Sequence, residues 1–349
     1  MRALTVLPGQ AGSARLDDGP EPASDDGSVV VETLAVGVCG TDAEILQGHY
    51  GTAPPGRERL VLGHESLGRV LEAPAGSGLQ AGELVVGIVR RPDPVPCPNC
   101  AAGEWDMCRN GLYTERGIKG LDGFCAERFR IEPEFAVRVE RNLEQVGVLL
   151  EPASVVAKAW EHVERIGRRA RWEPRRVLVT GAGPIGLLAA LMAAQSGLEV
   201  HVLDRIREGP KPELVRDLGA TYHTSSVHEA CAGADVVMEC TGVAQLVFDA
   251  MQYTAHGGIV CLAGLSTGGP ELKVDMSALN RTMVLENNVV LGTVNANRRH
   301  YEAAAQALAQ ADVRWLERLI TRRLPLEHWE DAMQRQPLDV KTVIDFTLG

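Results

Sequence analysis

A chain of 349 residues with 45% hydrophobic and 23% charged residues has the composition of a soluble globular protein and the length for two domains, each with its own core. Its 46 acidic against 35 basic residues leave a formal net charge of -11, which argues against nucleic acid or an anionic membrane surface as partner. No apolar run is long enough to span a bilayer, and Met1-Arg2-Ala3-Leu4-Thr5-Val6-Leu7 passes straight into polar, Pro- and Gly-containing sequence, unlike a secretory signal, so a cytoplasmic protein is expected.

From the N-terminus to about residue 150 the pattern is that of β-strands, with runs such as 28–34 and 83–89 set between Gly, Pro and Asp turns. Two segments here carry metal-ligand chemistry: Gly37-Val38-Cys39-Gly40-Thr41-Asp42 and Gly63-His64-Glu65. A thiolate, an imidazole and a carboxylate suit zinc, and the glycines around them point to backbone held closely where side chains converge. Taken singly, Cys39 also reads as a small buried hydrophobe and His64-Glu65 as an ordinary strand end.

Eight cysteines in a cytoplasmic chain are metal ligands, nucleophiles or core residues rather than disulfides. Cys97-Pro98-Asn99-Cys100 followed by Cys108 has the spacing of a structural zinc lobe, with Asp93 as the nearest fourth ligand and Glu104 and Asp106 after it. The competing reading is a redox pair, but that motif opens a helix and this one is expected in a Pro-rich loop. Cys125, Cys231, Cys240 and Cys261 read as core.

From about 160 to 295 apolar strands alternate with helical stretches, the pattern of a parallel sheet. Arg176 to Thr180 is a strand, Gly181-Ala182-Gly183-Pro184-Ile185-Gly186 is the Gly-x-Gly-x-x-Gly turn, and 187–196 is an apolar helix. The first glycine permits the turn, the second lets backbone N–H groups approach a pyrophosphate, and the third lets helix pack on strand. A second strand, 199–203, ends in Asp204, placed to bind the adenosine ribose hydroxyls. Asp204 favours NAD, whereas Arg205 would serve the 2′-phosphate of NADP, so dual use stays open; Arg207 reads as a solvated turn residue. Beyond 297, residues 301–309 read as a helix and 343–346 as a final strand.

Across nearly the whole chain these residues resemble the zinc-containing medium-chain dehydrogenases/reductases, and within them the glucose dehydrogenase group. The resemblance rests on the segments above together with Glu115-Arg116-Gly117-Ile118, Asp122-Gly123-Phe124, Leu150-Glu151-Pro152 and Gly292-Thr293-Val294-Asn295-Ala296-Asn297. It implies an α/β fold: a GroES-like β-rich catalytic domain (1–160 and 296–349) plus a Rossmann doubly wound parallel-sheet domain (161–295), with a cleft between them. It implies Cys39 and His64 as direct ligands of a catalytic zinc, Glu65 as a ligand or a catalytic group exchanging with the metal's water, and Glu151 as the remaining carboxylate near metal and substrate. It also implies Thr41 at the start of a proton relay, and Glu115 and Asn295 on sugar hydroxyls, with Asn297 a further candidate. The implied reaction is hydride transfer from a glucose-like aldose hydroxyl to NAD or NADP, giving the lactone, in a homodimer or homotetramer joined through the sheet edge at 287–292. That segment read alone is equally an internal strand. Some members carry an asparagine where Val89 stands and an aspartate where Val155 stands, which leaves room for another polyol, secondary alcohol or biosynthetic intermediate. A non-catalytic nucleotide-binding member of the fold is the remaining alternative, disfavoured by the complete ligand set.

Overall fold

The computed structural model describes residues 1–231, 233–266, 268–269 and 271–348, with the side chain of Cys231 outside the description; the core reading of Cys231 therefore lies outside the described residues. The chain forms two compact units, Met1–Ser154 with Asn295–Gly349, and Val155–Val294.

The first unit is β-rich. Its largest sheet runs in the order Ala136–Val139, Leu84–Gly87, Glu65–Glu72, Val29–Gly37, Lys341–Asp345 and Ile320–Leu324, with Arg128–Ile131 also pairing Val29–Gly37. Val29–Gly37 is its centre because it alternates inward Val29 and Val31 with an outward Glu32, then buries every residue from Thr33 to Gly37. The antiparallel register sets Gly37 opposite Glu65, and Val343 opposite Gly37 on the other side. Three strands distant in sequence thus end at one place. The C-terminal strand begins at Lys341, two residues earlier than the apolar pattern predicts, because a lysine and a threonine are buried there along with the apolar residues that follow.

The second unit is a six-stranded, all-parallel sheet in the order Thr221–His223, Glu199–Leu203, Arg176–Thr180, Val236–Glu239, Ile259–Leu262 and Val289–Gly292. The chain winds outward from Arg176–Thr180 in one direction and then in the other, so the order reverses between that strand and Val236–Glu239. Helix Pro184–Gln195 buries all eight residues from Gly186 to Ala193, which is why its sequence is apolar all round. Val289–Gly292 is largely half-buried and, among the described residues, bonded on one side only, to Ile259–Leu262, which makes it the edge of this sheet rather than an internal strand. Among the described residues no helix is long and apolar enough to cross a membrane.

Candidate active site

The segment Cys39-Gly40-Thr41-Asp42 turns out of strand Val29–Gly37 into helix Gly40–Leu46 through a capping box. Cys39 is the N-cap, and its backbone N–H donates to Asp42 Oδ2 at 2.8 Å. That cap fixes the Cys39 thiol beside the start of strand Glu65–Glu72, and the ligand atoms of Cys39, His64 and Glu65 lie within 4.8 Å of one another. Gly37 is required here, since a Cβ on it would stand 2.1 Å from Glu65 Oε2. Gly63 adopts φ +86, and a Cβ there would meet Val36 at 2.7 Å and Cys125 at 3.0 Å.

The surroundings of this cluster are buried and rich in negative charge. Asp42 is 0% exposed with Oδ1 3.5 Å from His64 Nδ1. The Lys341 ammonium stands 2.7 Å from Glu65 Oε1 and 2.5 Å from Oε2, and donates to the Val38 carbonyl at 3.0 Å. Burial raises the Glu151 carboxyl to about 7, with Glu65 and Asp42 adding to the rise and His64 and Lys341 opposing it. Burial works to lower the His64 pKa, yet Asp42 and Cys39 override it and raise it well above the ordinary value. Three carboxyl groups and a thiol around one lysine and one histidine form a site that accommodates a further cation, and thiolate, imidazole and carboxylate are the donor set of zinc. Glu151 joins the cluster electrostatically, but its oxygens are not within the 4.8 Å group. Thr41 is half-buried, with Oγ1 4.0 Å from Cys39 Sγ.

Glu115 is buried on strand Thr114–Arg116, and every bond given to its carboxylate ends on one oxygen. Oε1 accepts from Arg90 Nε at 3.1 Å, Arg90 Nη2 at 3.0 Å and Asn295 Nδ2 at 2.7 Å. Asn295 sits at φ +62, and its own Oδ1 accepts the N–H of Ala296. Asn297 is otherwise employed: it is the N-cap of helix Arg298–Gln310, 2% exposed, and its amide donates to Asp106 Oδ1 at 2.8 Å. Val89 is 2% exposed and Val155 half-buried.

In the second unit each glycine of the turn has a separate steric reason. Gly181 has φ +89, a Cβ on Gly186 would lie 1.8 Å from the Gly181 carbonyl, and Gly183 has open space where a side chain would be. Pro184 occupies the first turn of its helix, where no N–H is missed, and Pro184 and Ile185 are half-buried. Asp204 reaches back to the turn, its Oδ2 accepting the N–H of Ala182 at 2.7 Å and its Oδ1 that of Ile206 at 3.0 Å. Arg205 and Arg207 are exposed. Sequence reasoning missed Lys211, which is 4% exposed with Nζ 3.5 Å from Asp204 Oδ2; its only signal is its place in Pro210-Lys211-Pro212 just after the strand-end acid.

Cys97, Cys100 and Cys108 bring their sulfurs within 4.8 Å of one another, as their spacing predicts. Two details differ from expectation. The Cys-x-x-Cys does open a short helix, Pro98–Ala101, with Cys97 as N-cap accepting the Cys100 N–H. Asp93 is not part of the cluster: it is 3% exposed, and its Oδ1 is held locally by the N–H of Val95 at 2.8 Å. Glu104 and Asp106 also face elsewhere, accepting from Arg299 and Asn297. Backbone N–H groups of Arg109 and Cys100 lower the Cys97 pKa to about 6, which favours the thiolate that a metal binds. Cys125 and Cys261 are buried as expected, and Cys240 is half-buried.

Comparison with known proteins agrees with this geometry. Residues 25–141 match the family model described as alcohol dehydrogenase GroES-like domain, and residues 144–346, more than half of the chain, match that described as glucose dehydrogenase C-terminus. A glucose 1-dehydrogenase of Methanocella arvoryzae is 40% identical, with 99% of each chain covered, and one of Thermoproteus tenax is 40% identical with the same coverage. The structure of Haloferax mediterranei glucose dehydrogenase in complex with NADP, Zn and gluconolactone superposes with a TM-score of 0.91 over 99% of both chains at 33% identity. The chain belongs to the glucose 1-dehydrogenase group of the zinc-containing medium-chain dehydrogenase/reductase family.

Proposed function

We propose that this protein is a zinc-dependent sugar dehydrogenase that oxidises the anomeric hydroxyl of glucose or a close aldose with NAD or NADP and releases the lactone. The observation that carries the reading is the convergence of Cys39, His64 and Glu65 in a buried, acid-rich pocket. Zinc held by these residues, with Glu151 as the neighbouring carboxylate, supplies a Lewis acid that favours loss of the substrate hydroxyl's proton. The oxidation removes a hydride and a proton from the carbinol. The bound nicotinamide is the hydride acceptor, and the Thr41 hydroxyl receives the proton and passes it to solvent. Glu115 is the acceptor for a sugar hydroxyl: with Oε1 taken by Arg90 and Asn295, Oε2 carries none of those bonds.

Asp204 suits the ribose hydroxyls of NAD, while Lys211 and Arg205 offer cations to the 2′-phosphate of NADP, so NAD preference with dual use is the reading for the cofactor. The cysteine lobe is proposed to hold a second, structural zinc through Cys97, Cys100 and Cys108, with Asp93 as fourth ligand through its Oδ2, which has no hydrogen-bond partner among the described residues. A homodimer or homotetramer through the Val289–Gly292 edge fits the apolar residues just before it in the chain, Val284 and Leu285, each 66% exposed. Free thiols at all described cysteines suit the cytoplasm.

The test is a panel of aldoses, polyols and secondary alcohols with each cofactor, followed at the nicotinamide absorbance. A second reading has an observation of its own: apolar Val89 and Val155 favour a substrate with fewer hydroxyls than glucose, and faster turnover of polyols or secondary alcohols than of any aldose would establish it in place of the first.

A further inference from the structure

The carboxylate of Glu239 takes no part in the chemistry above, yet it is 0% exposed at the end of strand Val236–Glu239. It accepts the Thr180 hydroxyl at 3.1 Å, the Thr241 N–H at 2.8 Å and the Thr241 hydroxyl, all on Oε1, and the Gly242 N–H at 3.0 Å on Oε2. All four donors are neutral. Among the described residues no cation pairs with it, and a buried carboxylate without one is expensive to keep unless a dense set of donors such as this holds it. An amide in its place could serve the donors on one oxygen but would turn an N–H toward the N–H on the other side.

The donors come from the end of one strand and the loop after its neighbour. Thr180 is the last residue of its strand and the neighbour of Gly181, while Thr241 and Gly242 open the loop after the adjacent strand. Thr180 and Glu239 are register partners on the two strands between which the sheet order reverses, the place where an open parallel sheet binds its ligand. The glycine turn and the loop after the adjacent strand approach closely: a Cβ on Gly181 would stand 2.8 Å from Thr241 Cγ2. The Thr241 hydroxyl, besides donating to Glu239, accepts the N–H of Val243 at 3.0 Å. The brace continues outward, since Gly242 at φ +68 leaves no room for a Cβ against the Leu265 carbonyl, 2.3 Å away, and Ser266 Oγ donates to the Gly242 carbonyl at 2.7 Å.

We propose that Glu239 is a positioning residue for the dinucleotide. Its carboxylate ties the end of the first strand to the loop after the fourth, so that the Gly181–Gly186 turn is held in its binding shape before the cofactor arrives. Such preorganisation lowers the cost of binding without a direct contact. The inference rests on the assignment of this turn to NAD or NADP.

The experiment titrates NADH and NADPH, by nicotinamide fluorescence, into the full-length zinc-loaded protein and into Glu239→Gln, Thr180→Val and Thr180→Ser. Loss of bonds to a charged acceptor predicts Kd values raised by about tenfold for both cofactors in Glu239→Gln and several-fold in Thr180→Val. Thr180→Ser, which keeps the hydroxyl, is expected to restore the wild-type value. Zinc content and the sugar KM, which depend on residues of the other unit, should change by less than about twofold. A general structural defect would instead shift all readouts together and would overturn the proposal, as would a folded Glu239→Gln that binds both cofactors like wild type. If Glu239→Gln does not fold, the Thr180 pair decides, and equal Kd values for Thr180→Val and wild type refute the brace. Failure of the wild-type protein to bind either cofactor would refute the nucleotide assignment itself, a result distinct from unchanged Kd values among the variants.

Discussion

Lys341 and Glu65, 276 positions apart in the chain, form an ion pair in which both side chains are at most 3% exposed. The pair joins the first residue of the C-terminal strand to the first residue of Glu65–Glu72, so the C-terminal return of the chain fixes one of the candidate zinc ligands. Removing the ammonium leaves a buried carboxylate without its partner. Lys341→Met is expected to cost about 3 to 5 kcal/mol of stability in metal-free protein. Zinc offers the same carboxylate another cation, so the loss should be smaller after zinc loading. Urea unfolding of wild type and variant, each with and without zinc, measures both; an identical loss in the two conditions would exclude Glu65 from the metal's surroundings.

Division of labour between the units gives the second expectation. His64→Ala removes a ligand from the first unit while leaving the glycine turn of the second untouched. Turnover should fall by about three orders of magnitude or more, as expected when Lewis-acid stabilisation is lost, whereas the Kd for NADH should stay near wild type. Chelation should reproduce the effect and added zinc reverse it. Asp42→Asn, which weakens the hold on His64 without removing a ligand, should lower zinc affinity by about 10- to 100-fold. Equal loss of turnover and cofactor binding in His64→Ala would contradict the assignment.

The parts of the site legible in sequence are those fixed by local sterics. Gly181, Gly183 and Gly186 could be read because each answers a different backbone requirement, and Cys97, Cys100 and Cys108 because chelate spacing is short-range. Glu115, Glu151 and Asn295 came only from the family resemblance, since nothing in their neighbours reveals a shared pocket. What no pattern marked are the partners that hold these groups from afar: Arg90 on Glu115, Lys341 on Glu65 and Glu239 on Thr180. Pairings of this kind depend on register across a sheet, which a single sequence does not state. Asp93 shows how local structure narrows such a reading, because a turn to Val95 claims its Oδ1 and leaves the buried Oδ2 for the fourth-ligand place its nearness in sequence suggests.

The cysteine lobe should influence the sugar site more than its distance in sequence suggests. Arg90, which grips Glu115, also donates through Nη1 to the carbonyl of Asp106, and the Asp106 carboxylate receives Asn297, two residues from Asn295. Cys100→Ser, which weakens the thiolate cluster, is expected to lower the melting temperature by about 1 to 3 degrees, the effect of about 1 to 2 kcal/mol in a chain of this size. It should also raise the sugar KM a few-fold while the cofactor KM holds. Scanning calorimetry with steady-state kinetics on both substrates tests this; a fall in kcat alone, with melting temperature intact, would mean the lobe is not structural.

Cofactor choice turns on Asp204 and Lys211. The Asp204 carboxylate is held by the Ala182 N–H and faces the Lys211 ammonium at 3.5 Å, with the lysine almost fully buried. Asp204→Ala removes the acceptor for ribose hydroxyls and frees Lys211 for a phosphate. The ratio of kcat/KM with NAD to that with NADP should then fall by about tenfold or more, a change of roughly 1.4 kcal/mol or more in relative transition-state binding. Lys211→Met should move the ratio the opposite way, because a 2′-phosphate would lose a cation while the ribose hydroxyls keep their carboxylate. Parallel losses with both cofactors in Asp204→Ala would show that the residue serves only to hold the turn through Ala182. A ratio unchanged in both variants would place the discrimination elsewhere, with the exposed Arg205 and Arg207 the next residues to replace.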